Sequence, residues 1–208
     1  MSPQDLSQIG AGFSDLALGS QAVFRATLQA LSLPGRPVTI AHDAETPAEG
    51  HPASAAVLLA LLDADCRLWL SPSLANSPAA AWLRFHTGCQ LTSDLAQARF
   101  AWVAAGDALP DLAGMAQGSD ADPDQSATCV VDLPMGFGDA TATGAWTLRG
   151  PGIPTTQALA APGLPADFAL QWQANHAAFP RGVDLLLASA THVVGLPRTT
   201  QISWTSEA

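Results

Sequence analysis

Between Val183 and Ala188 the chain reads VDLLLA, apolar on both sides of an extended backbone and interrupted only by Asp184. A strand of this kind has no face to give to water and is covered on both sides, as in the middle of an α/β sheet. Ser189-Ala190 supplies a turn, and His192 to Leu196 then forms a second short apolar strand. Pro197 has no N–H for a ladder and ends it. Arg198, Thr199 and Thr200 follow, a guanidinium and two hydroxyls at a strand exit. Polar groups there are held by a rigid core yet stand at its edge.

The rest of the chain alternates helices and strands. Phe13 to Leu31 is predicted as the first helix, with Phe24, Leu28 and Leu31 on one stripe, Ser20 as an internal cap and Pro34-Gly35 as the stop. Arg36 to Ala41 reads as a short strand, followed by a polar loop from His42 to Pro52. Ala53 to Leu62 is apolar all round and reads as a buried helix. Arg67 to Leu70 is a strand. Ser77-Pro78 is a cap with proline at the first helical position, opening a helix that runs through Trp82 and Phe85 to Thr87-Gly88. Arg99 to Ala104 is a strand, and Asp107 to Gln125 is the least ordered stretch. Ala127 to Leu133 is a strand, with Ala145 to Arg149 returning beside it. Pro165 to Ala178 is an amphipathic helix carrying Phe168, Trp172 and His176 at i, i+4 and i+8. The expectation is an α/β chain: residues 1–208 as a single, three-layer-like domain with a mixed sheet flanked by helices.

Composition narrows the chemistry. The chain has 208 residues, enough for a sizeable core, and is 48% hydrophobic with only 12% charged residues. Its net charge is −10, so a nucleic-acid partner, which demands a basic footprint, is not expected. The longest apolar run, Ala53 to Leu62, is too short to span a bilayer, and no membrane association is expected. Asp5 and the absence of a basic cluster before an apolar stretch give no sign of a secretory leader. Three cysteines, Cys66, Cys89 and Cys129, form no paired pattern, and reduced thiols in a cytoplasmic protein are the simplest account. All eight basic residues are arginine, with no lysine anywhere. That excludes a Schiff base to pyridoxal phosphate, a Walker-A lysine and a Ser-Lys dyad. Arginine instead suits planar recognition of carboxylate or phosphate, or an interface with an acidic neighbour.

The densest polar-aromatic cluster is WLRFHTGC, Trp82 to Cys89. On a helix Arg84 and His86 lie about 200° apart and share no face unless the helix ends between them. One reading puts Arg84 on an anionic ligand and His86 at the helix exit as a titratable group. The other makes Trp82 and Phe85 core, Arg84 an ion-pair or interface residue and His86 a cap. His86 and Cys89 form an H-x-x-C pair, but no second close pair completes four ligands for zinc, and no metal is expected. Asp120, Asp122 and Asp124 open like a calcium loop, yet Pro123 interrupts it, Gln125 replaces the glycine and Val131 the final glutamate. Gly136, Gly138 and Gly144 read as a hairpin turn rather than a dinucleotide loop. No serine stands in a nucleophile elbow, so no catalytic residue is nominated. Asp184 within the main strand either lies at a solvated strand entrance or, the favoured reading, forms a structural ion pair with Arg181 or Arg198. The candidates for ligand or interface binding are therefore Arg84, His86, Asp184, Arg198 and Thr199.

Five segments also resemble, in order and at compatible spacing, landmarks of the PhnH family: FRATLQALSLPG (Phe24 to Gly35), VLLALLDADCRLWLSPSL (Val57 to Leu74), LRFHT (Leu83 to Thr87), LRGPGI around Arg149, and FPRGVDLLL…GLPRTT from Phe179. The acidic, lysine-free composition and the loop Asp107 to Gln125 are where this chain is individual. The family contributes a subunit to the carbon–phosphorus lyase machinery of phosphonate-using bacteria. The resemblance implies a fold similar to the large domain of pyridoxal-phosphate transferases without the cofactor site, a homodimer when alone, and a complex with PhnG, PhnI and PhnJ. That complex, alpha-D-ribose 1-methylphosphonate 5-triphosphate synthase, acts on ATP and alkylphosphonate, joining the phosphonate to ribose with release of adenine. A structural, non-catalytic subunit with no cofactor of its own is the expectation. The rival is direct phosphate or phosphonate binding, or catalysis, by Arg84 and Arg198.

Overall fold

The computed structural model describes residues 9–140 and 145–204. Its centre is a seven-stranded mixed sheet in the order β1-β9-β8-β5-β4-β2-β3. The strands are β1 Val38–Thr39, β2 Arg67–Leu70, β3 Gln90–Leu91, β4 Phe100–Val103, β5 Thr128–Asp132, β8 Asp184–Ala188 and β9 His192–Leu196. β3, β2, β4, β5 and β8 run parallel, while β9 is antiparallel to β8 and β1 antiparallel to β9. The double-sided apolar run thus sits inside the sheet, with Leu185, Leu186 and Leu187 fully buried. A smaller antiparallel sheet in the order β10-β6-β7 is built from β6 Trp146–Arg149, β7 Gln157–Leu159 and β10 Gln201–Trp204.

Alternation along each central strand sorts the core into two layers. One face carries Leu68, Leu70, Trp102, Val130, Leu186 and Val193 and is covered by α1 Leu16–Ser32, α2 Pro52–Leu61 and α4 Pro78–Thr87. The other carries Ala101, Val103, Cys129, Val131, Leu185 and Leu187, covered by the small sheet and α5 Phe168–Ala177. A short helix, α3 Pro72–Ala75, leads into α4. α2 is buried from Ala53 to Leu59 because it lies between the sheet and its neighbours α1 and α4. Among the described residues no helix is long and apolar enough to cross a membrane.

Several expectations need correction. Ala145 to Arg149 does not return beside Ala127 to Leu133. β5 already has β4 and β8 on its two edges, so β6 has no edge to pair with and joins the small sheet beside β10 and β7. Gly136 and Gly138 therefore lie in a connection that leaves the central sheet rather than in a hairpin turn; Gly144 lies outside the described residues. α1 starts later than expected, capped by Asp15, whose carboxylate accepts from the Leu18 N–H at 2.9 Å, and not by Ser20. Its core face is Val23, Thr27 and Ala30, leaving Phe24 and Leu28 exposed. The approach is set by Gly195 in β9: a Cβ there would stand 2.4 Å from the Ala30 carbonyl oxygen, so only glycine lets α1 lie this close to the sheet. α5 begins at Phe168, three residues past Pro165. The acidic loop 107–125 is folded around 3-10 turns at Leu112–Gly114 and Pro123–Gln125, with Leu112 and Met115 buried beneath it.

Candidate functional site

The terminal landmark builds a closed polar node. Asp184 opens β8, and Arg198 follows β9 on the antiparallel neighbour, so the hairpin brings the two side by side. They pair at 2.6 Å, with side chains only 12% and 25% exposed for Arg198 and Asp184. Arg198 Nε also donates to Asp184 at 3.1 Å, and the Arg198 backbone N–H donates to the same carboxylate at 2.7 Å. Nη1 donates to the carbonyls of Pro123 at 3.0 Å and Pro180 at 3.3 Å, and Nη2 donates to the Ser126 hydroxyl. An arginine has five N–H donors, and here each has an acceptor inside the chain. The node ties the end of the acidic loop and the entry to β8 onto the β8–β9 hairpin. Thr199 is half-buried beside it, and its carbonyl oxygen would lie 2.9 Å from a Cβ at Gly150. Arg181 is separate from this node and pairs at 3.3 Å with Asp120 on the surface.

The second cluster lies at the end of α4. Ser77 caps the helix from its N-terminus and Gly88 closes it at φ 74°, as the sequence indicates. Trp82 is core, but Phe85 is 57% exposed. Trp82 Nε1 and His86 Nε2 both lie 2.9 Å from the Gly10 carbonyl oxygen. These two rings hold the segment that leads into α1. That segment is also tied to loop 42–46, where the Glu45 carboxylate accepts from the Ala11 N–H at 3.0 Å and Asp43 accepts from the Ser14 backbone and hydroxyl. The Ser14 bonds hold the Asp43 carboxyl below its usual range. Arg84 is exposed and makes no side-chain hydrogen bond or ion pair among the described residues. His86 and Cys89 are not joined by further ligands; no group of three His, Cys, Asp or Glu side chains among the described residues could hold a metal ion.

Arg84 and Arg198 do not converge. α4 leads directly into β3, whereas Arg198 binds the first residue of β8, and β3 and β8 are four strand positions apart. At about 4.8 Å per position that is on the order of 19 Å, too far for one phosphate group.

Sequence reading missed a third polar group, at the carboxyl end of β5. Asp132 is 2% exposed and accepts from Ser54 Oγ at 2.5 Å, the His51 N–H at 2.8 Å and Trp102 Nε1 at 3.1 Å. His51 Nε2 lies 2.9 Å from the Leu133 carbonyl oxygen, which places the ring proton on Nε2 in the neutral form. Burial pushes the Asp132 carboxyl above the usual carboxylate range, and the three donors only partly oppose it. A cavity of about 190 Å³ opens above Asp132, between the ends of β4 and β5, lined also by Gly106, Asp107, Pro134 and Leu164. The visible signal was a carboxylate ending an apolar strand, which reads as solvated until the helix carrying Ser54 is placed over it.

The exposed face of α1 carries apolar residues among the polar Gln21, Arg25 and Gln29. Phe24 is 49% and Leu28 55% exposed, on adjacent turns of α1, and Leu16 is exposed at its start.

Residues 11–203 match the model of the family described as "Bacterial phosphonate metabolism protein (PhnH)". The chain belongs to the PhnH family. It is 40% identical over 197 residues to "Alpha-D-ribose 1-methylphosphonate 5-triphosphate synthase subunit PhnH" of Rhizobium meliloti (strain 1021), covering 94% of this chain and 96% of that protein. It is 33% identical over 183 residues to "Putative C-P lyase subunit protein HtxG" of Stutzerimonas stutzeri, covering 88% of this chain and 85% of that one. The PhnH match covers α1 to α5 and every described strand except the last residue of β10, so the Asp184–Arg198 node and the α4 cluster lie within the matched region.

Proposed function

We propose that this chain is the PhnH-type subunit of a carbon–phosphorus lyase core complex, in which it supports transfer of an alkylphosphonate onto the ribose of ATP with release of adenine. Its work there is assembly rather than bond-making, in the cytoplasm, alongside the PhnG, PhnI and PhnJ subunits, with a homodimer as the form the chain takes alone. The observation that carries this reading is nearly full-length similarity, at 40% identity, to a relative named as a subunit of the ribose 1-methylphosphonate 5-triphosphate synthase. Two features of the chain support the assembly role. The stripe of Phe24 and Leu28 exposes apolar area that a lone domain has no use for. The Arg198 guanidinium at the β9 exit is engaged within the chain rather than directed at a ligand. The fold's kinship with pyridoxal-phosphate transferases belongs to the same proposal, and the lysine-free sequence denies such a fold the aldehyde chemistry of that cofactor.

The rival reading, an anion clamp using Arg84 and Arg198, has Arg84 as its free cation. The two readings separate by experiment. The tagged chain is co-expressed with the three other core subunits, and the mass of what co-purifies is measured for the unaltered protein, for Phe24→Asp with Leu28→Asp, and for Arg84→Ala. Assembly predicts a complex of all four subunits, lost in the double variant while the chain itself stays folded. Full assembly of every variant, with turnover lost only in Arg84→Ala, overturns it in favour of the clamp.

A further inference from the structure

Cys66 and Cys89 are 23 positions apart in sequence and side by side in the fold. β2 and β3 pair in parallel with Arg67 opposite Gln90 and Leu68 opposite Leu91. The residues one step earlier, Cys66 and Cys89, are therefore opposite each other. The Gln90 N–H donates to the Cys66 carbonyl at 2.9 Å, so the ladder extends to this pair. Parallel register puts opposite side chains on one face. Both thiols accordingly belong to the layer beneath α2 and α4, Cys89 buried in that core and Cys66 packed against it at the sheet edge. Neighbouring strands run about 4.8 Å apart, inside the roughly 4.4–6.8 Å Cα separation that a disulfide spans.

We propose that Cys66 and Cys89 are a redox pair that closes into an intrachain disulfide across the β2–β3 edge. The oxidant is a low-molecular-weight disulfide such as oxidised glutathione. Cys66, the more exposed thiol, attacks one sulfur of the oxidant as its thiolate, forming a mixed disulfide and releasing one glutathione thiolate, which takes up the Cys66 proton. Cys89 then attacks the Cys66 sulfur, and the second glutathione leaves with the Cys89 proton. Two protein thiols are oxidised and one glutathione disulfide is reduced to two thiols. Burial raises both thiols above their ordinary pKa, so the thiolate fraction is small at neutral pH and the reaction accelerates as pH rises. The cross-link encloses α3 and α4, and it acts at the start of a two-residue edge strand, with Cys89 between Gly88 and that strand. The reduced chain leaves the end of α4, with Arg84 and His86, held by backbone pairing of β3 and the Gly10 contacts; the oxidised chain bolts it to β2. The pair stands whether or not the assembly reading does.

The test incubates the purified full chain with oxidised glutathione at pH 7 and pH 9, then alkylates it in denaturant without reductant. Closure reduces alkylation from three cysteines to Cys129 alone. After trypsin it joins the peptide ending at Arg67 to the one ending at Arg99, faster at the higher pH, and Cys66→Ser and Cys89→Ser each abolish the joined peptide. Three alkylated cysteines after oxidation would overturn the proposal. So would a glutathione adduct that persists on Cys66 beside a free Cys89, since the two thiols would then be too far apart or misaligned.

Discussion

Replacing Arg198 by alanine removes every donor that its guanidinium makes. Asp184 keeps one charge-assisted bond, from the backbone N–H of residue 198 at 2.7 Å. The Pro123 and Pro180 carbonyls and the Ser126 hydroxyl lose their partner. Breaking a buried, hydrogen-bonded ion pair from one side costs about 3–5 kcal/mol. The pair here is 12% and 25% exposed, so water partly re-solvates Asp184 and the lower end, about 3 kcal/mol, applies. For a chain of this length each kcal/mol shifts Tm by about 2–4 °C, which gives a fall of about 6–12 °C. Arg198→Lys keeps the charge but has three donors in place of a planar fork, and is expected to lose about half as much. Pairing Arg198→Ala with Asp184→Ala adds the control of a double-mutant cycle, in which the joint loss is smaller than the sum by at least about 1 kcal/mol. The assay is urea unfolding with a thermal melt, with and without inorganic phosphate. A variant within about 0.5 kcal/mol of the unaltered protein, combined with phosphate stabilising the parent and not the variant, would refute the structural account and restore Arg198 to ligand binding.

Two further outcomes follow from packing and titration. Asp132 has a raised carboxyl pKa in the folded state, so its contribution to stability is fully present below the unfolded value of about 3.9 and is lost as pH rises through the folded value. The stability difference between the parent and Asp132→Asn, measured by urea unfolding from pH 3.5 to 7 at low protein concentration, should shift in favour of Asn as pH rises; a shift toward Asp would show that the donors around it outweigh burial. Gly195→Ala drives a methyl group to 2.4 Å from the Ala30 carbonyl oxygen and 2.7 Å from Leu31 Cα, backbone that cannot swing aside, and should cost at least about 2 kcal/mol; a melt unchanged from the parent would mean that α1 does not lie where it is placed.

What could be read from the sequence follows from where the information is local. Val183 to Ala188 declares a two-sided strand through its own side chains, and Ser77-Pro78 with Gly88 marks both ends of α4 through their own backbone preferences. The small sheet is different. Ala145 to Arg149 does read as a strand, but its partner depends on β5 having both edges filled by β4 and β8, which no property of residues 145–149 encodes. α1 was misfaced because its largest apolar residues, Phe24 and Leu28, are on the outside, while the face that meets the sheet is Val23, Thr27 and Ala30. The small Ala30 stands where the helix crosses closely over Gly195. Among the site residues, the sequence left Asp184 two possible partners, Arg181 and Arg198, and the strand-turn-strand geometry decides for Arg198. The Asp132 node was not foreseeable, since His51 and Ser54 at the start of α2 and Trp102 in β4 come from separate stretches and meet only when α2 covers the strand ends.

The charge balance bears on which role the chain can play. A net charge of −10 sets an average potential that repels anionic ligands at distances within the Debye length of about 8 Å. A local cluster of cations could overcome that field, but Arg84 and Arg198 are too far apart to form one, and Arg198 is neutralised by Asp184. The same field would favour encounter with a basic partner, and the exposed Phe24 and Leu28 are where the proposed assembly role would place its apolar contact. On the proposed assembly role, any positive surface for an anionic substrate would have to come from another subunit.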